Sequence, residues 1–488
     1  MSYRSSSKIQ KAKEAHVDLF THHLRNGLDV DDMALLASEE DQTRRRLYAI
    51  ARNDPAIADA HVGLVDVFNE DNKGLFLSTL SDVSLQCTLF TDPAGGHFYP
   101  EGDPVMVSSL QQFENSWKSF TENMLSEIDW NNVAVAGGSV LACLDHLSPK
   151  ILDSPIRTRQ YHQRWYPDSD IDVFLYSLSP EDAERKIVHI YDVVRGSVPY
   201  NVICVHTKNT VSIHSQYPFR VIQIVLWLYS SISEILMEFD VDSACFLYDG
   251  YWVWSNPRGI VALMRQANTV DLTWRLPSYE LRLVKYASRG FRILIPLLRQ
   301  ENINPEIYHR RPSELQGLAW LLCMEHLISR QTQNLKHPDT EKVFKVHSLV
   351  VDGMMESCQP HEISDYAHFH VPHGPKWNTA KIECHIINAD HLLNSKELNL
   401  DPVWKLAEVQ DEAHVSEAWH LHHHPAFCGS AQDCLEGCQS CTQPRTPHEV
   451  LVLADWSKKY VRGHVKFFEH NAGRQFMSGS FNLIDIGD

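Results

Sequence analysis

No stretch of this chain is apolar for long enough to cross a membrane. The most apolar run, residues 221–229, is far shorter than the ~20 residues a span requires. Residues 1–16 are polar and charged, without the apolar core of a secretion signal. The expected setting is therefore cytoplasmic or nuclear. Basic charge is also scarce: 44 Lys and Arg stand against 62 Asp and Glu, a net charge of −18. Such a chain is repelled by long polyanions unless it carries a local basic face, which argues against non-specific binding of long DNA or RNA. A small anionic substrate carried with a metal ion remains compatible, because the ion dominates the local field. There is no internal repeat and no long low-complexity tract.

What is present is ample apolar material. Hydrophobic residues make up 43% of the 488, enough to build real cores and to exclude wholesale disorder. That length suits two or three domains. Cys143, Cys204, Cys245 and Cys323 stand singly among apolar neighbours, where cysteine acts as a small buried hydrophobe.

The patterning suggests four regions: a mainly helical N-terminal region (1–107), an α/β or α+β domain (108–276), a helical extension (277–334) and a loop-rich His/Cys-rich region (335–488). Phe113, Trp117, Phe120 and Met124 recur at spacings of three and four and mark one helical face. Strands are expected over 132–136, 171–176, 200–206, 211–214, 221–226, 244–248 and 251–254, with helices over 140–147 and 181–192. Asp249-Gly250 between the last two strands is a hairpin signal.

Two elements carry candidate chemistry. Gly137, Gly138 and Ser139 fall between a strand and a helix, where glycine permits a tight turn and close approach of phosphate. Many such junctions are glycine-rich for steric reasons only. Asp170 and Asp172 are two residues apart on a strand and so share a face, with Ile171 and Val173 pointing into the core. Two like charges so placed are costly to bury unless a cation joins them, and Mg²⁺ favours one or two carboxylates with phosphates and water. The alternative is a solvated strand edge, which the apolar run at 173–176 disfavours.

A strand, a Gly-Gly-Ser turn opening a helix, and Asp-x-Asp on the next strand together resemble the core of the polymerase-β-like nucleotidyltransferase superfamily. The strings SDIDVFLY, FDVDSACFLYDG and SYELRLVKYASRGF also look like a nucleotidyltransferase-like region often fused to ankyrin repeats, although no ankyrin pattern occurs here. The resemblance covers residues 130–290. It implies a mixed sheet with flanking helices, phosphate positioned by Gly137, Gly138 and Ser139, and Mg²⁺ (or Mn²⁺) on Asp170 and Asp172. It further implies a nucleotidyl group passing from a nucleoside triphosphate to a hydroxyl with loss of pyrophosphate. The acceptor, whether RNA, protein or a small molecule, is left open.

The sequence departs from that pattern in two places. The connection over 148–169 is long and polar. Where active members can carry a third carboxylate, the strand at 220–226 has Gln223, which supplies no negative charge. Asp240 and Asp242 share a face if extended and are the next candidates, either for the metal or for capping a turn. Arg282, Lys285 and Arg289 form a basic stripe on the helix after Pro277, which Ser278 would cap. Such a stripe is usually a solvated face, but the resemblance gives Lys285 a place on the triphosphate. The alternative to an enzyme is a non-catalytic nucleotide-binding or protein-interaction module on the same fold.

Cys428, Cys434, Cys438 and Cys441, preceded by His420, His422, His423 and His424, form a candidate structural Zn²⁺ site of unusual spacing. His361, His368, His370, His373 and His385 form a looser group, which 28 histidines make expected by chance. Trp227, Trp252, Trp254 and Trp274 are expected in the core rather than as a base-stacking platform.

Overall fold

A computed structural model describes residues 20–332 except 21, 51–53, 73, 80–86, 92–98, 168, 207–209, 272–278, 297, 313–314 and 316, and also 371, 373–385 and 427–429. Among these residues the strands are β1 (Val65–Asp66), β2 (Thr88–Leu89), β3 (Val133–Ala136), β4 (Ile171–Tyr176), β5 (Ile203–His206), β6 (Thr210–His214), β7 (Ile222–Tyr229), β8 (Phe246–Tyr248), β9 (Val253–Ser255), β10 (Ala267–Thr269), β11 (Arg292–Leu294) and β12 (Phe427–Gly429). Nine of them make one sheet in the order β1-β9-β8-β3-β4-β7-β6-β5-β12. It is mixed: β4 and β7 run parallel, while β3–β4, β3–β8 and β6–β7 are antiparallel. A second sheet has the order β10-β11-β2. The expected mixed sheet with flanking helices is the fold observed.

Alternation along the strands gives the main sheet two faces. Val133, Val135, Ile171, Val173, Leu175, Ile222 and Ile224 enter the larger core cluster. Helix Leu110–Phe120 contributes Phe113, Trp117 and Phe120 to that cluster, as their spacing predicts. Ser109 starts this helix by accepting a hydrogen bond from the Gln112 N–H at 3.3 Å. Ala134, Ala136, Phe174 and Tyr229 belong to the opposite face, where they meet helix Ile232–Glu238 and Trp254. Asp172 falls on this second face by alternation, where the two small alanines of β3 lie beside it.

Several elements differ from the sequence expectation. Residues 148–169 are not a bare connection but contain helix Pro155–Trp165, in which only Thr158, Tyr161 and His162 are buried. The region after Tyr279 is interrupted by β11, whose Ile293 and Leu294 are buried. The N-terminal region, read as mainly helical, supplies β1 to the main sheet and β2 to the small one, beside helix Val30–Ile50. The β8–β9 hairpin forms, but its turn is longer than two residues. The Asp249 carboxylate accepts from the Tyr251 N–H, the Trp252 N–H and the Trp254 indole, which stabilises the wider turn. Among the described residues no helix is long and apolar enough to cross a membrane.

Candidate functional site

The turn after β3 is fixed by backbone geometry. Gly137 has φ 88° and ψ −143°, a conformation essentially restricted to glycine, and its N–H bonds to the Phe246 carbonyl at 2.9 Å. Helix Gly138–Leu144 follows directly. In the register of β3 and β4, Ala136 lies opposite Asp172. A Cβ on Gly137 would stand 3.8 Å from Asp172 Oδ2 and 3.2 Å from the Phe239 ring. The two sequence motifs, more than thirty residues apart in the chain, therefore meet at one spot.

Asp170 immediately precedes β4, and Asp172 lies within it. Burial and the neighbouring Asp170 charge hold the Asp172 carboxyl well above its usual range, while Lys285 pulls the other way. The parallel register places Gln223 of β7 beside Asp172, and its amide Nε2 donates to Asp170 Oδ2 at 2.6 Å. The amide thus occupies a position flanking both carboxylates. Asp170, Asp172, Gln223, Lys285 and the Gly137–Ser139 turn form one neighbourhood.

Asp240 and Asp242 do not share a strand face. The chain turns there, and Asp242 opens a 3₁₀ segment Asp242–Ala244. Asp240, 4% exposed, accepts from Arg282 at 2.5 Å. Asp242 accepts from Arg258 Nη1 at 2.9 Å and from the Thr269 N–H at 2.9 Å. Its carboxylate is thus held in a buried ion network with Arg258 and Asp41. Among the described residues, no group of three or more His, Cys, Asp and Glu side chains is placed to hold a metal ion. The Asp170–Asp172 pair is consequently a two-carboxylate arrangement.

Further residues reach the site without any sequence signal. Arg289 lies past the end of helix Tyr279–Ala287, not on the helical stripe. Its Nη2 donates to Ser169 Oγ at 2.6 Å. Arg220, 7% exposed, donates to the carbonyls of Tyr166 (2.7 Å), Ser169 (2.8 Å) and His162 (3.2 Å), fixing the loop that delivers Ser169 and Asp170. A buried Arg between a proline-containing turn and a strand could have signalled such a clamp, but its partners are backbone atoms that no residue pattern marks.

The remaining candidates contribute little to this spot. Cys434, Cys438, Cys441, His420, His422, His423, His424, His361, His368 and His370 lie outside the described residues, as do Ser278 and Trp274. Cys428 lies on β12, which pairs with the β5 edge opposite Val205. His373 meets Tyr217 and His385 meets Trp377. Cys143, Cys204, Cys245 and Cys323 are buried, as expected for small hydrophobes. Trp254 is a core residue, whereas Trp227 and Trp252 are half-buried against the second cluster.

Glu238 ends the helix behind Phe239 and accepts the Tyr229 hydroxyl. Burial pushes its carboxyl up to about 7, with the Tyr229 bond opposing and the Glu234 and Asp240 charges adding to the rise. Between the unfolded value near 4.5 and this folded value, the folded chain binds more protons, so stability falls as pH rises through that window. Glu238→Gln removes this dependence. Its thermal midpoint is expected to exceed that of the parent at pH 8, with the difference shrinking toward pH 5. A difference independent of pH would show that ionisation of Glu238 is not its source.

Comparison with known proteins places a match over this same region. The model of a family described as Gabija anti-defense 2 (Gad2) matches residues 111–266, which include the Gly-Gly-Ser turn, Asp170, Asp172 and Gln223. A curated protein described as uncharacterized protein R883 of Acanthamoeba polyphaga mimivirus is 28% identical over 210 residues. That alignment covers 40% of this chain and 42% of the viral protein, so the chain matches less than half the length of that relative.

Proposed function

We propose that this chain is a metal-dependent nucleotidyltransferase. Asp170 and Asp172 hold Mg²⁺ or Mn²⁺, and Gly137, Gly138, Ser139 and Lys285 position the triphosphate. The observation that carries this reading is the convergence of the turn and the carboxylate pair, with Gly137 packed within van der Waals reach of an Asp172 oxygen. The raised pKa of Asp172 supports a cation there, because a divalent ion reverses both causes of the shift. When bound, the metal polarises phosphate oxygens and lowers the pKa of the attacking hydroxyl. Attack by that hydroxyl oxygen on the α-phosphorus forms the new P–O bond as the bond to the β-phosphate oxygen breaks. Pyrophosphate carries away the displaced electron pair, and the hydroxyl proton passes to solvent. Lys285 sits close enough to Asp172 to offset charge on the phosphates.

The description of the matching family as anti-defense supports a role in countering a defence system, with nucleotidyl transfer as the chemistry. Gln223 favours a second reading, in which nucleotide is bound without turnover. An amide stands beside the pair, and Asp240 and Asp242 are engaged by Arg282 and Arg258. The test is pyrophosphate release from each nucleoside triphosphate with Mg²⁺, beside Asp170→Ala/Asp172→Ala. Release that vanishes in the double variant supports transfer. Metal-dependent binding by the parent alone, with no release from either protein across candidate acceptors, supports the second reading.

A further inference from the structure

We propose that Arg289, with Ser139, forms a preorganised clamp for the terminal phosphates of the nucleotide. The long polar insertion, rather than the family-like core alone, builds it. This inference rests on the nucleotide-binding reading above and adds to it a binding residue and the part of the ligand it holds. The clamp has two independent signs. Ser139 is 1% exposed, yet its Oγ has no hydrogen-bond partner in the protein. Arg289 Nη1 is likewise buried and without a protein partner. Buried polar atoms are satisfied in the great majority of cases, so two orphans flanking one turn call for an explanation. They flank the same residue: a Cβ on Gly138 would lie 2.9 Å from Arg289 Nη1, and Ser139 is next in the chain.

The guanidinium is also held in place before any ligand arrives. Its Cζ stands 5.0 Å from the Tyr166 ring and 5.0 Å from the Tyr286 ring, so two aromatic faces fix its plane. Nη2 is tied to Ser169 Oγ. Tyr166 itself donates to Asp145 Oδ2 at 2.5 Å, and Tyr161 to the same oxygen at 2.8 Å, which anchors the inner ring. Tyr161, Tyr166 and Ser169 all come from the insertion between helix Gly138–Leu144 and β4. Burial pushes the Tyr286 hydroxyl up to about 12, so Tyr286 stays neutral and leaves the Arg289 charge uncompensated. No carboxylate forms an ion pair with Arg289 among the described residues. A buried cation with one N–H edge free, aimed at a glycine beside a metal-type carboxylate pair, fits a phosphate oxygen bonded by charge-assisted hydrogen bonds.

The test uses the full chain with Mg²⁺ and inorganic tripolyphosphate as the probe, followed by calorimetry, and with Mn²⁺ alone followed by paramagnetic resonance. Arg289→Gln is expected to weaken tripolyphosphate binding by about tenfold or more. Arg289→Lys retains charge but loses the planar fork and is expected to fall between the two. Ser139→Ala separates binding from folding. Removing an unsatisfied buried hydroxyl leaves thermal stability equal or higher, while tripolyphosphate binding weakens. Binding of Mn²⁺ alone, which needs only the carboxylates, is expected to persist in Ser139→Ala and Arg289→Gln. If the parent binds nucleotide and tripolyphosphate but Arg289→Gln and Ser139→Ala bind equally well, the clamp is wrong and the nucleotide reading stands. If the parent binds neither ligand, both fall together.

Discussion

Arg258→Met is expected to lower stability by about 3–5 kcal/mol, the cost of stripping a buried carboxylate of its partner. Arg258 is 7% exposed and Asp41 is fully buried. The Arg258 Nε donates to Asp41 Oδ2 at 2.6 Å, its Nη1 to Asp242 Oδ1 at 2.9 Å, and its Nη2 to the Phe239 carbonyl at 2.7 Å. One guanidinium thus joins helix Val30–Ile50, helix Pro257–Arg265 and the segment that turns beneath the site. Methionine keeps much of the packing volume but leaves two carboxylates and a carbonyl without that donor. The measurement is the urea midpoint of Arg258→Met, Asp41→Asn and the double variant. The double variant is expected to lose less than the sum of the singles, because each single change leaves the partner buried and unmatched. Strict additivity would show that the pair is not coupled. Phe239 packs against Gly137 and Phe174, so the single variant should also loosen the turn after β3.

This network shows where sequence reasoning ran out. The hydrophobic alternation of β3 and β4 was legible, because Val133, Val135, Ile171, Val173 and Leu175 point to one face and leave the aspartates on the other. The position of Gln223 was legible for the same reason, since a period of two fixes which side chains share a face. Asp240 and Asp242 obey the same spacing and misled, because the rule holds only while the chain stays extended. Here it bends into a 3₁₀ turn at Asp242, and Arg282 and Arg258 draw the two carboxylates apart. Those partners lie 42 and 16 residues away in sequence, with no local pattern to announce them. Helix Pro155–Trp165 was missed because Arg157, Arg159, Gln160, Gln163 and Arg164 swamp a thin apolar face of Thr158, Tyr161 and His162. Helix Pro257–Arg265 did carry a signal, with Asn256 capping Gly259 and Pro257 in the first turn.

Gln223→Glu is the change with the greatest expected effect on the site's chemistry. In the parent, the amide donates to Asp170 at 2.6 Å and partly offsets the charge of the pair. A glutamate there cannot donate when ionised, and it sets a third negative charge beside two others. Like charges about 4 Å apart at a partly buried site repel by up to about 4 kcal/mol before relaxation. Without divalent ions, the variant is therefore expected to melt below the parent at pH 8. Adding Mn²⁺ should reverse the order of response, raising the midpoint of Gln223→Glu more than that of the parent, because tighter binding to the folded state stabilises it further. Pyrophosphate release should rise about tenfold or more if a missing carboxylate limits turnover. The two readings of the site then part. A parent already active, and only modestly improved by the change, is an enzyme working with two carboxylates. A silent parent made active by one added carboxylate is a nucleotide-binding site held from turnover by an amide. Equal Mn²⁺ responses in parent and variant would show that position 223 does not face the metal, and the physical argument from the β4–β7 register would fail with it.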